Sequence, residues 1–427
     1  MPRPFSVLLG KTIRHAARLR GGSGSALPGL FVEKIDPSFI KRTLSELPYG
    51  VILVSGTNGK TTTTKLIVEL LEGQGLRVFT NKTGSNFTRG VAAALLGDIS
   101  LSGKLQADIA VLELDEAHAV HFVRAVAPTH TVLLNVMRDQ LDRFGEIDTT
   151  AKLLTVVAQH TTKSLILNRE DPRISAIADQ DGVPKTISYY GLDPSLRRYF
   201  PTDDSLYDTA SDEPSTPQDA SVVLRTLTDN GGTFDIDGVQ YKTALAVTGA
   251  YNIFNTAAAI SVVQAVLGDQ MDIKKLLATL PTIQPAFGRG ETINLDGYPL
   301  ELILVKNPSG FRLGLSSFQP TGYATMIAIN DNYADGRDMS WLWDVSFESL
   351  KHDGVATVSG IRAYDMAVRL QYDEIPFRNV DTNLSSALRA FIASNPHVPK
   401  RIYCTYTAML HIRKSLKSRA PIKEIDS

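Results

Sequence analysis

The chain has 427 residues, more than one ordinary core organises, so two or three domains are expected. Its 43% hydrophobic and 21% charged content suits a soluble globular enzyme, and 44 Lys and Arg against 45 Asp and Glu speak against nucleic acid as a partner. A single cysteine, Cys404, excludes a disulfide within the chain and a cysteine-built zinc site, and it fits a reducing, cytoplasmic setting.

The chain opens on Phe5 to Arg20, where apolar residues alternate with Lys11, Arg14, Arg18 and Arg20. These charges interrupt the run too often for a signal peptide or for the ~18 apolar residues of a membrane span. The segment reads as a basic amphipathic helix packing on its own domain, with contact to an anionic membrane as the alternative. Residues 21–30 are rich in Gly and Ser and read as a loop.

Gly50 to Ser55 is an apolar, β-branched run ending at a glycine, the pattern of a buried parallel strand. Leu66, Ile67, Leu70 and Leu71 then recur at helical spacing across Thr61–Gly73, which completes a βα unit. Further strands are expected over 77–80, 109–113, 131–135 and 164–168, mostly separated by helical stretches. That alternation predicts an α/β fold with a doubly wound, mostly parallel sheet, and ligand chemistry at the carboxyl ends of its strands.

Residues 201–219 carry Pro201, Pro214 and Pro217 among six acidic residues and read as a solvated, mobile loop. Short antiparallel strands follow over 221–247, with Asn230-Gly231-Gly232 as a hairpin turn, and then a helix from about Asn252 to Leu267. A domain boundary is expected near 290–297. Beyond it Leu300–Val305 and Ala324–Ile329 read as strands of a second, Rossmann-like α/β domain. No internal repeat is visible.

The motif that carries chemistry sits between the first strand and its helix: Gly56, Thr57, Asn58, Gly59, Lys60, Thr61 and Thr62. Phosphates need many backbone N–H donors at close approach, a mobile cation and a metal ligand. Gly56 and Gly59 permit the approach, Lys60 supplies the cation and Thr61 a hydroxyl for Mg²⁺. Val54 stands where the common Walker pattern has its first glycine. A glycine turn with a chance Lys-Thr is the competing reading, and placement between strand and helix counts against it.

Glu113 ends the 109–113 strand, with Asp115 and Glu116 beside it. Such an acid can hold Mg²⁺ for phosphoryl transfer; the alternative is an acidic group favouring a helix dipole. Asn135 and the run from Arg138 to Phe144 crowd the next carboxyl edge. Asn252 and Asn255 open a helix, where Asn is often only a cap, but two on one face can also bind nucleotide. Arg289 lies in an expected turn, placed either to neutralise phosphate or to form a hinge salt bridge. The polar stretch from Asn330 to Asp344 holds both tryptophans and suits a partner interface or a catalytic carboxylate, against a plain polar loop over a Trp plug. His118 and His121 suggest no metal site, because no third ligand accompanies them.

On these residues the chain resembles the MurT family, the synthetase subunits of bacterial lipid II isoglutaminyl synthases. The stretches that carry the resemblance are Gly56–Thr63, Thr80–Gly90, Asp139–Glu146, Lys306–Phe311 and Asp331–Asp344, spread over nearly the whole chain. The P-loop form alone fits any Mur ligase or folylpolyglutamate synthase.

The resemblance implies an N-terminal segment over 1–45, a Mur ligase-like central ATP-binding domain over 46–292 and a C-terminal MurT-type domain over 293–427. It implies that ATP phosphorylates the α-carboxylate of D-Glu in the lipid II stem peptide. Ammonia from a GatD-type glutaminase subunit then attacks the acyl phosphate to give D-isoglutamine. Family roles fall on Lys60 and Thr61 for phosphates and Mg²⁺, Glu113 for Mg²⁺, and Asn255 and Arg289 for nucleotide. Asp344 is the residue expected to complete the glutaminase Cys–His pair, with Asp338 and Asp335 as alternatives. Location is expected to be cytoplasmic, with peripheral contact at the inner membrane face. Many members carry a four-cysteine zinc ribbon; here residues 185–240 hold no cysteine, so no zinc is expected. Gln140 replaces a His typical of amino-acid-adding Mur ligases, in line with ammonia as nucleophile. The alternative is an amino-acid ligase of the Mur or folylpolyglutamate type; a partner-binding scaffold with a degenerate ATPase is disfavoured by Lys60, Thr61 and Glu113.

Overall fold

The computed structural model describes residues 7–8, 10–12, 27–81, 87–137, 147–200, 219–228, 230–247, 249–285, 289–317, 321–417 and 419–420. Most of the opening basic segment, residues 82–86, the polar run 138–146 with Gln140, and the acidic loop over 201–218 lie outside them. Val7 is buried in the same core as Val32 and Leu96.

The first sheet is built around β1 (Val51–Ser55). All five residues of β1 are buried, as an apolar run flanked by parallel neighbours on both edges requires. β2 (Val78–Thr80), β3 (Ile109–Glu113), β4 (His130–Leu133), β5 (Ser164–Asn168) and β6 (Thr186–Leu192) follow in the chain. With β7 (Val222–Thr228), β8 (Gly231–Ile236) and β9 (Val239–Ala244) the nine-stranded sheet has the order β2-β3-β1-β4-β5-β6-β7-β8-β9. Pairings are parallel from β2 through to β7. The sheet then closes with antiparallel β8 and β9. β7 and β8 form the expected hairpin, but Gly231 and Gly232, expected in its turn, open β8 instead, opposite Thr228 and Leu227; a second turn at Asp237-Gly238 joins β8 to β9, and β6 was not read from the sequence.

Because β1 lies between β3 and β4, the connections run out to both sides of it, and a crevice opens at its carboxyl end. The helix Lys60–Gly73 follows directly and buries Leu66, Ile67, Leu70 and Leu71. Its partner is the helix Ala250–Leu267, which buries Ile253, Ala257, Ile260 and Val263 in the same core. That second helix, continued to Gln270, is the one helix among the described residues long and apolar enough to cross a membrane. It is 67% buried over its apolar window and serves as a core helix.

His130 opens β4 with its ring buried and Nδ1 2.7 Å from the Ser164 hydroxyl. Burial lowers its pKa to about 4, with Lys163 adding to the effect. The folded chain therefore holds His130 neutral while the unfolded chain protonates it near pH 6.5, so the unfolded state binds the extra proton in between. Stability is expected to fall as pH drops from about 6.5 to about 4, by roughly 3 kcal/mol from this group. Denaturant melts across that window should show a shallower decline for His130→Gln than for the parent chain; parallel declines would remove His130 as the cause.

The second sheet has six strands in the order β10-β11-β15-β12-β13-β14. β10 (Arg289–Leu295) and β11 (Tyr298–Leu304) form an antiparallel hairpin. β12 (Ala324–Ala328), β13 (Val355–Ser359), β14 (Phe377–Asp381) and β15 (Lys400–Cys404) extend it in parallel. Two apolar cores flank it. One contains Phe311, Trp341, Phe347 and Met366; the other contains Leu388, Phe391, Met409 and Ile412. Arg289, expected in a turn, is instead the first residue of β10, where its backbone pairs with Ile303.

Candidate active site

The chain leaves β1 at Ser55 and turns through Gly56 to Lys60 before the helix begins. Gly56 has φ +130° and Gly59 φ +89°, conformations that side-chain-bearing residues seldom adopt. Space forbids a side chain as well: a Cβ at Gly56 would lie 3.0 Å from backbone N and O of Asn135, and one at Gly59 2.8 Å from Asn255 Oδ1.

Asn135, just beyond β4, templates this loop. Its side chain accepts from Asn58 N at 2.9 Å and donates to Asn58 O at 3.0 Å. Its backbone oxygen accepts from Thr57 N at 2.9 Å. The Thr57 hydroxyl accepts from Met137 N at 3.1 Å. The loop's path is thus fixed by the chain's own groups, with the positive end of the helix Lys60–Gly73 beneath it.

Lys60 is 5% exposed. Its ammonium donates to Gly56 O at 2.6 Å and lies 3.2 Å from Asp115 Oδ1 and 3.6 Å from the buried Glu116. Two carboxylates and a loop carbonyl compensate the buried cation. A polyphosphate entering the loop offers the same compensation in a different place, so Lys60 can transfer to it without being left unpaired.

Thr61 donates its hydroxyl to Glu113 Oε1 at 2.9 Å. Asn81 fixes Glu113, accepting from Glu113 N at 2.9 Å and donating to Glu113 O at 2.8 Å. A hydroxyl and a carboxylate side by side are hard oxygen donors of the kind Mg²⁺ takes, and they leave most of its shell to water and phosphate. Thr62, in the next position, is buried with no hydrogen-bond partner for its hydroxyl among the described residues.

Asn255 is buried against Gly59, and Asn252 stands half-buried one turn earlier on the same helix. Beside them a recess runs from Asn135 to Asn168 and Asp171 under Phe200, Tyr251 and Phe254. The Phe200 ring lies 4.8 Å from Tyr251 and 5.3 Å from Phe254. Burial pushes Asp171 up to about 6, although backbone N–H groups of Val136, Ile174 and Arg173 pull the other way. The Arg289 side chain falls outside the described residues.

The second sheet reaches this site through Asn307, whose Nδ2 donates to Asn58 Oδ1 at 3.3 Å. Asn307 is completely buried, and its Oδ1 accepts from Gly310 N at 2.7 Å at the start of the helix Pro308–Ser317. Sequence reading places the Lys306–Phe311 stretch only by resemblance; nothing local signals that it meets the P-loop.

Asp344 stands elsewhere, half-buried at the end of the single turn Ser340–Asp344. Of the two alternatives, Asp335 is buried and already accepts from Thr407 N and Thr407 Oγ1 and from Asn332 N. Burial raises its pKa. Asp338 accepts from Ser340 N at 2.8 Å and so caps that turn.

Two family descriptions match the chain: Mur ligase middle domain over residues 54–263 and MurT ligase C-terminal over 304–409. The chain is 30% identical to the MurT subunit of the glutamine-hydrolysing lipid II isoglutaminyl synthase of Streptococcus pneumoniae, over 98% of each chain. Among solved structures, a pseudomurein peptide ligase type C from Methanothermus fervidus superposes with a TM-score of 0.67 at 17% identity, over 87% of this chain and 79% of that one. MurF ligase from Thermotoga maritima, solved with ADP, gives 0.67 at 16% identity, over 90% and 82%.

Proposed function

The chain belongs to the MurT family of Mur ligases, and from that premise we propose that it is the ATP-dependent synthetase subunit that amidates the α-carboxylate of D-Glu in the lipid II stem peptide, giving D-isoglutamine. The observation that carries the reading is the preformed loop from Gly56 to Thr62, with Lys60 seated in it and the Thr61–Glu113 pair at its mouth.

In this reading the loop's backbone N–H groups and Lys60 hold the β- and γ-phosphates of ATP. Thr61 and Glu113 hold Mg²⁺, which neutralises phosphate charge when bound. Asn255 and Arg289 contact the nucleotide, and the recess lined by Phe200, Tyr251 and Phe254 offers aromatic faces to its base. A carboxylate is a poor electrophile, so the γ-phosphoryl group passes to the substrate carboxyl oxygen and makes a leaving group. Ammonia then displaces phosphate from that acyl phosphate. The intermediate must be kept from water, and the Asn58–Asn307 link supports closure of a C-terminal domain (293–427) on a central domain (46–292).

Ammonia at neutral pH is mostly ammonium, so a docked GatD-type glutaminase that releases it inside a shielded path is the second half of the proposal. Asp344 completes that partner's Cys–His pair. A surface beside it supports docking: Trp343 is exposed, and Tyr364, Val368 and Tyr372 project at four-residue spacing from the helix Ala363–Tyr372. The reading places the chain in the cytoplasm, working at the inner face of the membrane where the lipid-linked substrate sits.

The test is co-expression with the glutaminase subunit, followed by mass analysis of lipid II incubated with ATP and glutamine. The expected result is the mass loss of replacing a carboxyl hydroxyl by an amino group. An unchanged mass with either glutamine or ammonium would defeat the proposal, and a gain equal to an amino-acid residue would favour an amino-acid ligase.

A further inference from the structure

The segment that bears Asp344 is short and irregular. The turn Ser340–Asp344 is entered by one side-chain bond, from Ser340 N to Asp338, and Val345 beyond it is extended. A different element grips this segment from the side, the last turns of the helix Ala363–Tyr372.

Arg369 of that helix is 6% exposed. Its guanidinium donates from Nε to Leu342 O at 3.2 Å and from Nη2 to Val345 O at 2.6 Å. These two carbonyls bracket Trp343 and Asp344. The third edge of the fork, Nη1, bonds Asp373, whose other oxygen accepts from Phe347 N at 3.2 Å. The same cation sits 5.3 Å from the Trp343 ring centre and 5.6 Å from that of Phe347. Trp343 in turn meets Tyr372 edge-on at 5.5 Å.

From this we infer that Arg369 is a positioning residue for Asp344: its planar guanidinium pins the carbonyls on either side of the aspartate and fixes where its carboxylate meets the partner subunit. The inference rests on the reading of Asp344 as the acid that completes the partner's glutaminase pair. A planar fork with several fixed donors does this where a flexible ammonium does not, because a single point donor cannot reach two carbonyls and a carboxylate at once. No part of Arg369 enters the nucleotide site, so the ligase chemistry has no need of it.

The experiment compares Arg369→Lys with the parent chain, each as the full complex with its glutaminase subunit. Glutamine-driven amidation and amidation driven by saturating ammonium are measured, and size-exclusion chromatography checks that the complex is intact. The expected result is a fall of at least about 10-fold in kcat for the glutamine-driven reaction, with KM for glutamine little changed and the ammonium-driven rate within about twofold. Asp373→Asn, which leaves the arginine in place but removes its charged anchor, should give a smaller loss of the same kind. Equal loss with either nitrogen source, dissociation of the complex, or no loss at all would overturn the inference. Asp344→Asn run in parallel separates the two ideas. If that variant keeps full glutamine-driven activity, the reading of Asp344 falls and this inference with it; if it loses activity while Arg369→Lys does not, only this inference falls.

Discussion

Lys60→Ala abolishes nucleotide turnover in the complex, with kcat expected to fall by about 100- to 1000-fold or more, as when a preorganised charge is removed from a transferring phosphoryl group. Lys60 is the cation that the loop carries at its floor, donating to Gly56 O and facing Asp115 and Glu116. Its removal takes a positive charge from the place where charge develops, and no backbone N–H can substitute for it. It also leaves the buried Glu116 without its cation, which has a stability cost, so Lys60→Arg is the companion variant. Arginine keeps the charge but puts a wide fork where a compact ammonium fits. The measurement is ATP hydrolysis with saturating ammonium and lipid II, alongside thermal melts. Turnover that survives Lys60→Ala undiminished would remove Lys60 from the phosphate-binding role, whereas a scaffold with a degenerate ATPase predicts no turnover in the parent chain either.

Asp344→Asn separates the two nitrogen sources. Glutamine-driven amidation is expected to fall by about three to four orders of magnitude, as when the acid of a Cys–His or Ser–His pair is replaced by its amide. The amide keeps the shape of the side chain but loses the charge that stabilises the imidazolium and selects its tautomer. Ammonium-driven amidation needs no glutaminase and should continue. The assay is amidation of lipid II by the complex with glutamine or with excess ammonium. Loss of both reactions together would show that Asp344 supports the C-terminal domain as a whole. The structure makes Asp335 a poor substitute, since its carboxylate is buried and bonded to Thr407 and Asn332.

Much of the first sheet is legible in the amino-acid order. The run Val51–Ser55, the glycine loop and the helical spacing of Leu66, Ile67, Leu70 and Leu71 are local signals. Local periodicity is enough to give a strand, a turn and a helix. Ile109–Glu113 and Ser164–Asn168 are equally plain because each has an apolar centre and is buried throughout. Two of the strands that escaped reading lack that pattern. β14 is partly exposed, with Arg378 and Asn379 facing solvent. β15 begins with Lys400 and Arg401, which read as surface but are buried. Arg401 is tolerated there because Glu301 lies 2.8 Å away and the Tyr323 ring 4.0 Å away.

The residue types of the phosphate site followed from the chain alone, since a phosphate loop demands glycines, a lysine and a hydroxyl in a fixed order. The partners that make those residues useful did not. Asn135 reaches Asn58 across 77 positions, Asn307 reaches it across 249, and Arg369 reaches Leu342 across 27. No periodicity or spacing encodes such pairs, because they arise only when separate elements pack and their polar atoms must find each other away from water. Sequence thus determined the glycines, lysine and hydroxyl of the loop from Gly56 to Thr62, while tertiary structure alone decided what packs against that loop and which side chain bonds the carbonyls on either side of Asp344.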